Sequence, residues 1–119
     1  MSDQTPNLSL PFIMPAQAQK HITHNEAIEL LDMIVQLTLE ATEANTPPGA
    51  PNEGQAWGVG STPFGDWAGQ AGLIATWRGG GWLFMAPRDG WMAWDKGRAT
   101  LIAMHAGGWV TLAAASGAV

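Results

Sequence analysis

The chain has 119 residues, 46% of them apolar and only 13% charged, with a formal net charge of -5. That length fits one small domain. The five scattered Lys and Arg residues argue against a nucleic-acid partner, and the absence of cysteine excludes disulfides and thiolate metal sites.

A charged fraction this far below the usual quarter leaves a poorly solvated surface, the first sign that part of it is covered by a partner. No basic region followed by an apolar run opens the chain, so no signal peptide is expected. No apolar stretch has the length of a membrane span, so no membrane insertion is expected and the chain should be soluble where it is made.

Residues 1–22 are punctuated by Pro6, Pro11 and Pro15. Proline holds itself and its predecessor extended, so an extended N-terminal arm with apolar side chains is expected. Thr23-His24-Asn25-Glu26 fits a capping box, with Thr23 as cap and Glu26 reaching back. From there Ala27, Leu30, Ile34, Leu37, Ala41 and Ala44 follow 3-4-3-4-3 spacing, with Glu29, Asp32, Gln36, Glu40 and Glu43 mainly opposite. This predicts one long amphipathic helix over 23–44. Its stripe is either packed on the protein's own sheet or forms a coiled-coil seam between copies, with Ala27, Leu30, Ile34, Leu37 and Ala41 as the oligomer interface.

Residues 45–54, with three prolines and two glycines, read as a connector. The signal then changes period. Over 55–112, "QAWGVG", "LIATWR", "WLFMAP", "GWMAWD", "ATLIAMH" and "WVTL" are short apolar and aromatic runs separated by glycine-rich turns. They predict a small antiparallel β-meander of about five strands. Residues 113–119 read as a small-residue tail or linker. The whole is expected to be one α+β domain.

Candidate sites are few. His21 and His24 are three apart, but only His105 remains to join them, so no metal is expected. Ser61 and Ser116 lack a nucleophile elbow, and the glycines lack a phosphate-loop pattern. Glu53, Asp66, Asp89 and Asp95 sit in expected loops or turns, where turn formation is reason enough for them. No catalytic residue, cofactor or enzymatic activity is predicted.

The seven tryptophans are read as core or interface, or alternatively as a platform for sugar rings. Trp91 and Trp94, three apart, cannot share one face of a straight strand. One of them should be exposed, bulged or at an interface, which makes the pair the candidate contact for a glycan or a protein partner.

"LPFIMPAQAQKHITHNEAIELLD", "PNEGQAWGVG", "GDWAGQAGLIATWRGGGWLFMAPRDGWMAW" and "GGWV" together resemble a family of phage-derived proteins of unknown function. That domain lies near the N-terminus of tail-fibre and head-fibre proteins in phages and gene transfer agents of alphaproteobacteria. The most specific segments are "AQAQKHITHNEA" and Pro87-Arg88-Asp89-Gly90-Trp91, and the similarity runs from about Leu8 to Leu112.

The resemblance implies a structural virion component, an adaptor at the base of a fibre or spike, and no catalytic residue is carried over from it. It implies a homotrimer with other capsid, tail or fibre proteins as partners, assembled in the cytoplasm and extracellular after release. The chain would then be the first domain of a fibre. The alternative function is a carbohydrate-binding module for host surface polysaccharide.

Overall fold

A computed structural model describes residues 3–12 and 20–114, with 20–23, 113 and 114 described by their backbone alone. The chain forms two compact units, Met1–Gln36 and Leu37–Val119. Among the described residues the fold is mostly β, with one short α-helix, and this overturns the expected α+β fold with a long helix.

In the first unit, helix α1 spans Lys20–Ile34. It starts before Thr23, which therefore lies inside the helix and not at its cap. Its last turn closes with the Val35 amide donating to the Leu31 carbonyl at 2.9 Å. Gln36 then takes a left-handed φ of 59°, which stops the helix ten residues short of its expected end near Ala44.

Residues 3–12 form a tight loop and not an extended arm. The Thr5 amide donates to the Leu10 carbonyl and the Phe12 amide to the Asp3 carbonyl, both at 2.9 Å. The loop is organised by Asp32, which was expected on the polar face of the helix but is buried. Its Oδ1 accepts the Thr5 hydroxyl at 2.5 Å and the Leu8 amide at 2.6 Å, and its Oδ2 accepts the Asn7 amide at 3.0 Å. Ile13 to Gln19, which include much of the expected arm and of the polar segment before the helix, lie outside the described residues.

The second unit holds seven strands: β1 (Thr38–Leu39), β2 (Ala56–Gly58), β3 (Ile74–Arg78), β4 (Gly81–Met85), β5 (Met92–Asp95), β6 (Thr100–His105) and β7 (Gly108–Ala114). The six apolar runs predicted after Gly54 each overlap one strand, β2 to β7. They do not make a single meander. One sheet has the order β1-β5-β6-β7, with β1 parallel to β5, and the other has the order β2-β3-β4.

Local chemistry explains the hairpins. Gly79 and Gly80 both have positive φ between β3 and β4, as a two-residue hairpin of the primed type requires. The Glu53 carboxylate accepts both of their amides, at 2.9 and 3.0 Å. Ala106 and Gly107 make the same kind of turn between β6 and β7, with the Ala106 amide donating to Asp89 at 2.9 Å.

The segment 37–44 stitches the two sheets together. On one side, Leu37 and Leu39 carbonyls accept the amides of Trp94 and Lys96 at 3.0 and 2.9 Å. On the other, Glu40 and Ala44 amides donate to Ala56 and Gly58, and Gly58 and Gly60 amides donate back to Ala41 and Ala44. Backbone hydrogen bonding therefore runs from β7 through this segment to β4. These residues were expected to be helical; the non-local ladders on both sides override a 3-4 apolar spacing that is only a weak local preference.

The core has two parts. Leu39, Ala93, Ile102 and Met104 are buried on the inner face of the four-stranded sheet. Val59, Trp67 and Ala75 form the second cluster, against which Ala44, Trp57, Trp82 and Phe84 pack.

Candidate functional site

Strand alternation divides the four-stranded sheet into a buried and an exposed face. The register sets Thr38, Trp94 and Leu101 in one cross-strand row and Met92, Ala103 and Val110 in the next. These residues point away from the buried Ala93, Asp95, Ile102 and Met104. Met92 is 52% exposed, Trp94 37% and Val110 41%. Leu112, 51% exposed, is the extra residue of a β-bulge opposite Leu101 and Ile102, at the edge strand of the same sheet. Half of the large exposed apolar residues among the described ones belong to this sheet. The two rows contain no charged side chain.

At one end of the sheet Asp95 forms a polar clasp. Its side chain is 1% exposed. Oδ2 accepts Arg98 Nε at 2.8 Å and the Thr42 hydroxyl at 3.0 Å, while Oδ1 accepts the Gly97 amide at 3.0 Å. Arg98 Nη2 also donates to Thr42 Oγ1 at 3.1 Å.

Burial pushes the Asp95 carboxyl upward and is the largest single influence. The hydrogen bonds from Arg98 and Thr42, the Arg98 amide and the Arg98 charge together outweigh it, and hold the group below its ordinary value of 3.8. A shallow depression of about 300 Å³ lies beside it, lined by Ala41, Thr42, Glu43, Asp95, Gly97 and Arg98. Because both oxygens of Asp95 are taken by internal donors, the clasp is suited to fixing the β5–β6 turn against residues 41–43.

Four tryptophans meet in and around the second core cluster. Trp67 meets Trp82 edge-on with ring centroids 5.2 Å apart, Trp57 meets Trp82 at 5.6 Å, and Trp77 meets Trp82 at 5.0 Å. Such T-shaped contacts are the preferred packing of aromatic rings in a core. Trp67 is fully buried, and its Nε1 finds no acceptor.

The expected helical seam is not brought together. Ala27 and Leu30 are exposed on α1 and Ile34 is half-buried there. Leu37 is buried in the second unit and Ala41 is half-buried in the stitching segment, so neither lies on the helix. Of the candidate contact pair, Trp94 stands on the exposed face. Trp91 lies on the opposite side, where its carbonyl accepts the Met104 amide at 2.8 Å, and it is half-buried.

Met92, Val110 and Leu112 escaped sequence reasoning. Alternation in "GWMAWD" and "GGWVTL" was visible, but the polar members, Asp95 and Thr111, stand in the sets opposite Met92 and Val110, so the pattern did not point to these apolar residues as the outward ones.

His105 Nδ1 lies 3.8 Å from Asp89 Oδ1, and both side chains are largely exposed. Among the described residues no group of three or more His, Asp or Glu side chains is placed to hold a metal ion. No helix among them is long and apolar enough to cross a membrane.

No curated protein matches the chain. The family described as "Protein of unknown function (DUF2793)" matches residues 24–117, which is most of the sequence, and the chain belongs to that family.

Proposed function

We propose that this chain is a structural, non-enzymatic adaptor of a phage or gene-transfer-agent particle, placed at the base of a fibre or spike. There it joins copies of itself to neighbouring capsid, tail or fibre proteins, and it leaves the cell with the particle. The observation that supports this reading best is the uncharged apolar outer face of the β1-β5-β6-β7 sheet, carried by Met92, Trp94 and Val110. Exposed apolar faces of this kind mark interaction surfaces. The resemblance of the opening and "PRDGW" segments to fibre-associated domains supplies the biological setting.

A second reading, recognition of host polysaccharide, is favoured by one feature, the exposed indole of Trp94 on a strand. It is the weaker reading, because sugar sites set polar groups beside their aromatic rings. The neighbours of Trp94 and Met92 in their rows are Leu101, Ala103, Val110 and the rim residue Thr38.

Mass spectrometry of particles purified from the source cells tests the assignment. The chain should copurify at a fixed ratio to the major capsid protein. Its presence in the cells but absence from purified particles rejects the adaptor reading.

A further inference from the structure

Antiparallel sheets with one solvated face ordinarily turn polar residues outward. The β1-β5-β6-β7 sheet breaks that habit along β5, β6 and β7, where Met92, Trp94, Leu101, Ala103 and Val110 share the outer side. Resting on the assembly reading above, we propose that the occupant of this face is the same face of another copy of this chain, packed sheet against sheet about a symmetry axis.

Composition separates a second copy from an unrelated partner. Interfaces between identical chains are more apolar than those between different chains, and their cores are depleted of charge and enriched in Met and Trp. Here Trp94 lies inside one row and Met92 at the end of the next, and neither row has a charged side chain. The chain's net charge of -5 makes two copies repel at a distance. An uncharged face is where they can meet without setting carboxylates against each other. Charges beside this face lie at the ends of the strands, where Lys96 pairs with Glu40 at 3.2 Å and Asp89 lies 3.8 Å from His105.

The area suits a weak contact. Met92, Trp94, Val110 and Leu112 leave on the order of 300–400 Å² of surface exposed, within the range of the largest apolar patch on a typical monomer. With the half-buried Leu101 and Ala103 and the rim, each copy offers somewhat less than the ~800 Å² of a standard interface. The structure therefore points to reversible association of the isolated chain, strengthened where many copies are held together. Two such faces stack about 10 Å apart, with their side chains interdigitated.

The experiment is a mass measurement by light scattering, from low micromolar to near-millimolar concentration. The average mass should rise above that of one copy. The double variant Met92→Lys, Trp94→Lys should stay monomeric with an unchanged circular dichroism spectrum, and Leu31→Lys on helix α1 should associate as the parent does.

Because the chain has no cysteine, a single Met92→Cys substitution gives a site-specific probe that does not depend on the folding of the double variant. A short bis-maleimide should join two copies through it, and should fail with Phe64→Cys, an exposed position on the loop before β3. A monomer at every concentration overturns the proposal. So does association that survives the double variant, association lost only with Leu31→Lys, or a monomer whose Trp94 binds host polysaccharide. A chain that enters particles yet shows any of these outcomes leaves the adaptor reading standing while this inference falls.

Discussion

The hydroxyl of Thr42 donates to Oδ2 of Asp95 at 3.0 Å, joining residues 53 positions apart in the chain. The same carboxylate holds Arg98 and the Gly97 amide, so one side chain fixes the β5–β6 turn to the stitching segment. Asp95→Asn keeps the shape and removes the charge. Its expected destabilisation at neutral pH is about 1–3 kcal/mol, the worth of charge-assisted hydrogen bonds discounted because Arg98 reaches solvent. Thermal melting of the two proteins measures it.

The pH dependence follows from the same contacts. The folded Asp95 carboxyl titrates below 3.8, the value expected for the unfolded chain. Its stabilising contribution is therefore complete above that unfolded value and is lost as the pH falls through the lower, folded one. Melting followed from pH 7 downward should show stability falling below about pH 4, and falling less in Asp95→Asn. Identical acid profiles for the two proteins would remove Asp95 from the account.

Trp67 and Trp94 should respond oppositely to truncation. Trp67 is fully buried among Trp57 and Trp82, so Trp67→Ala should cost about 3–5 kcal/mol. Trp67→Phe should cost less, because Nε1 has no acceptor to lose. Trp94→Ala, at an exposed position, should shift stability by less than about 1 kcal/mol. Equal losses at the two positions would mean that Trp94 is core.

Gly58 sits under Trp109. A β-carbon there would lie 3.2 Å from Trp109 Nε1 and 3.4 Å from the Thr42 backbone. The Thr42 methyl would lie at 3.3 Å, so the indole and this methyl must both yield by a few tenths of an ångström. Gly58→Ala should destabilise by about 1–3 kcal/mol, as overpacking does. The Gly58→Ala, Trp109→Phe double variant should recover part of that loss in denaturant melts. No recovery would place the strain at Thr42 and not at Trp109.

Asp32 organises the loop at 3–12 through Thr5, Asn7 and Leu8. Asp32→Ala should release the Asn7 and Leu8 amides to rapid hydrogen exchange while the amides of β3 and β6 stay protected. Unchanged protection at Asn7 and Leu8 would show that the loop holds itself.

Sequence alone located the strands of the second half but not their arrangement. Short apolar runs between glycine-rich turns located β2 to β7, because hairpin turns such as Gly79-Gly80 demand residues that tolerate positive φ. The single meander that those runs suggested is instead two sheets.

Tertiary structure decided the rest. Leu37, Ala41 and Ala44 continue a helical spacing, yet Gln36 turns left-handed and the segment pairs with β5 and β2. Those partners lie far along the chain, and no local pattern records them. Asp32 and Asp95 look like ordinary surface carboxylates in the sequence; their burial depends on donors from Thr5 and Leu8, and from Thr42 and Arg98, that only folding assembles. The outward face of Met92, Trp94 and Val110 was undecidable for the same reason. In β5 the one acidic residue, Asp95, falls in the buried set and the apolar Met92 and Trp94 in the exposed one, so the side that meets water is chosen by what packs against the other.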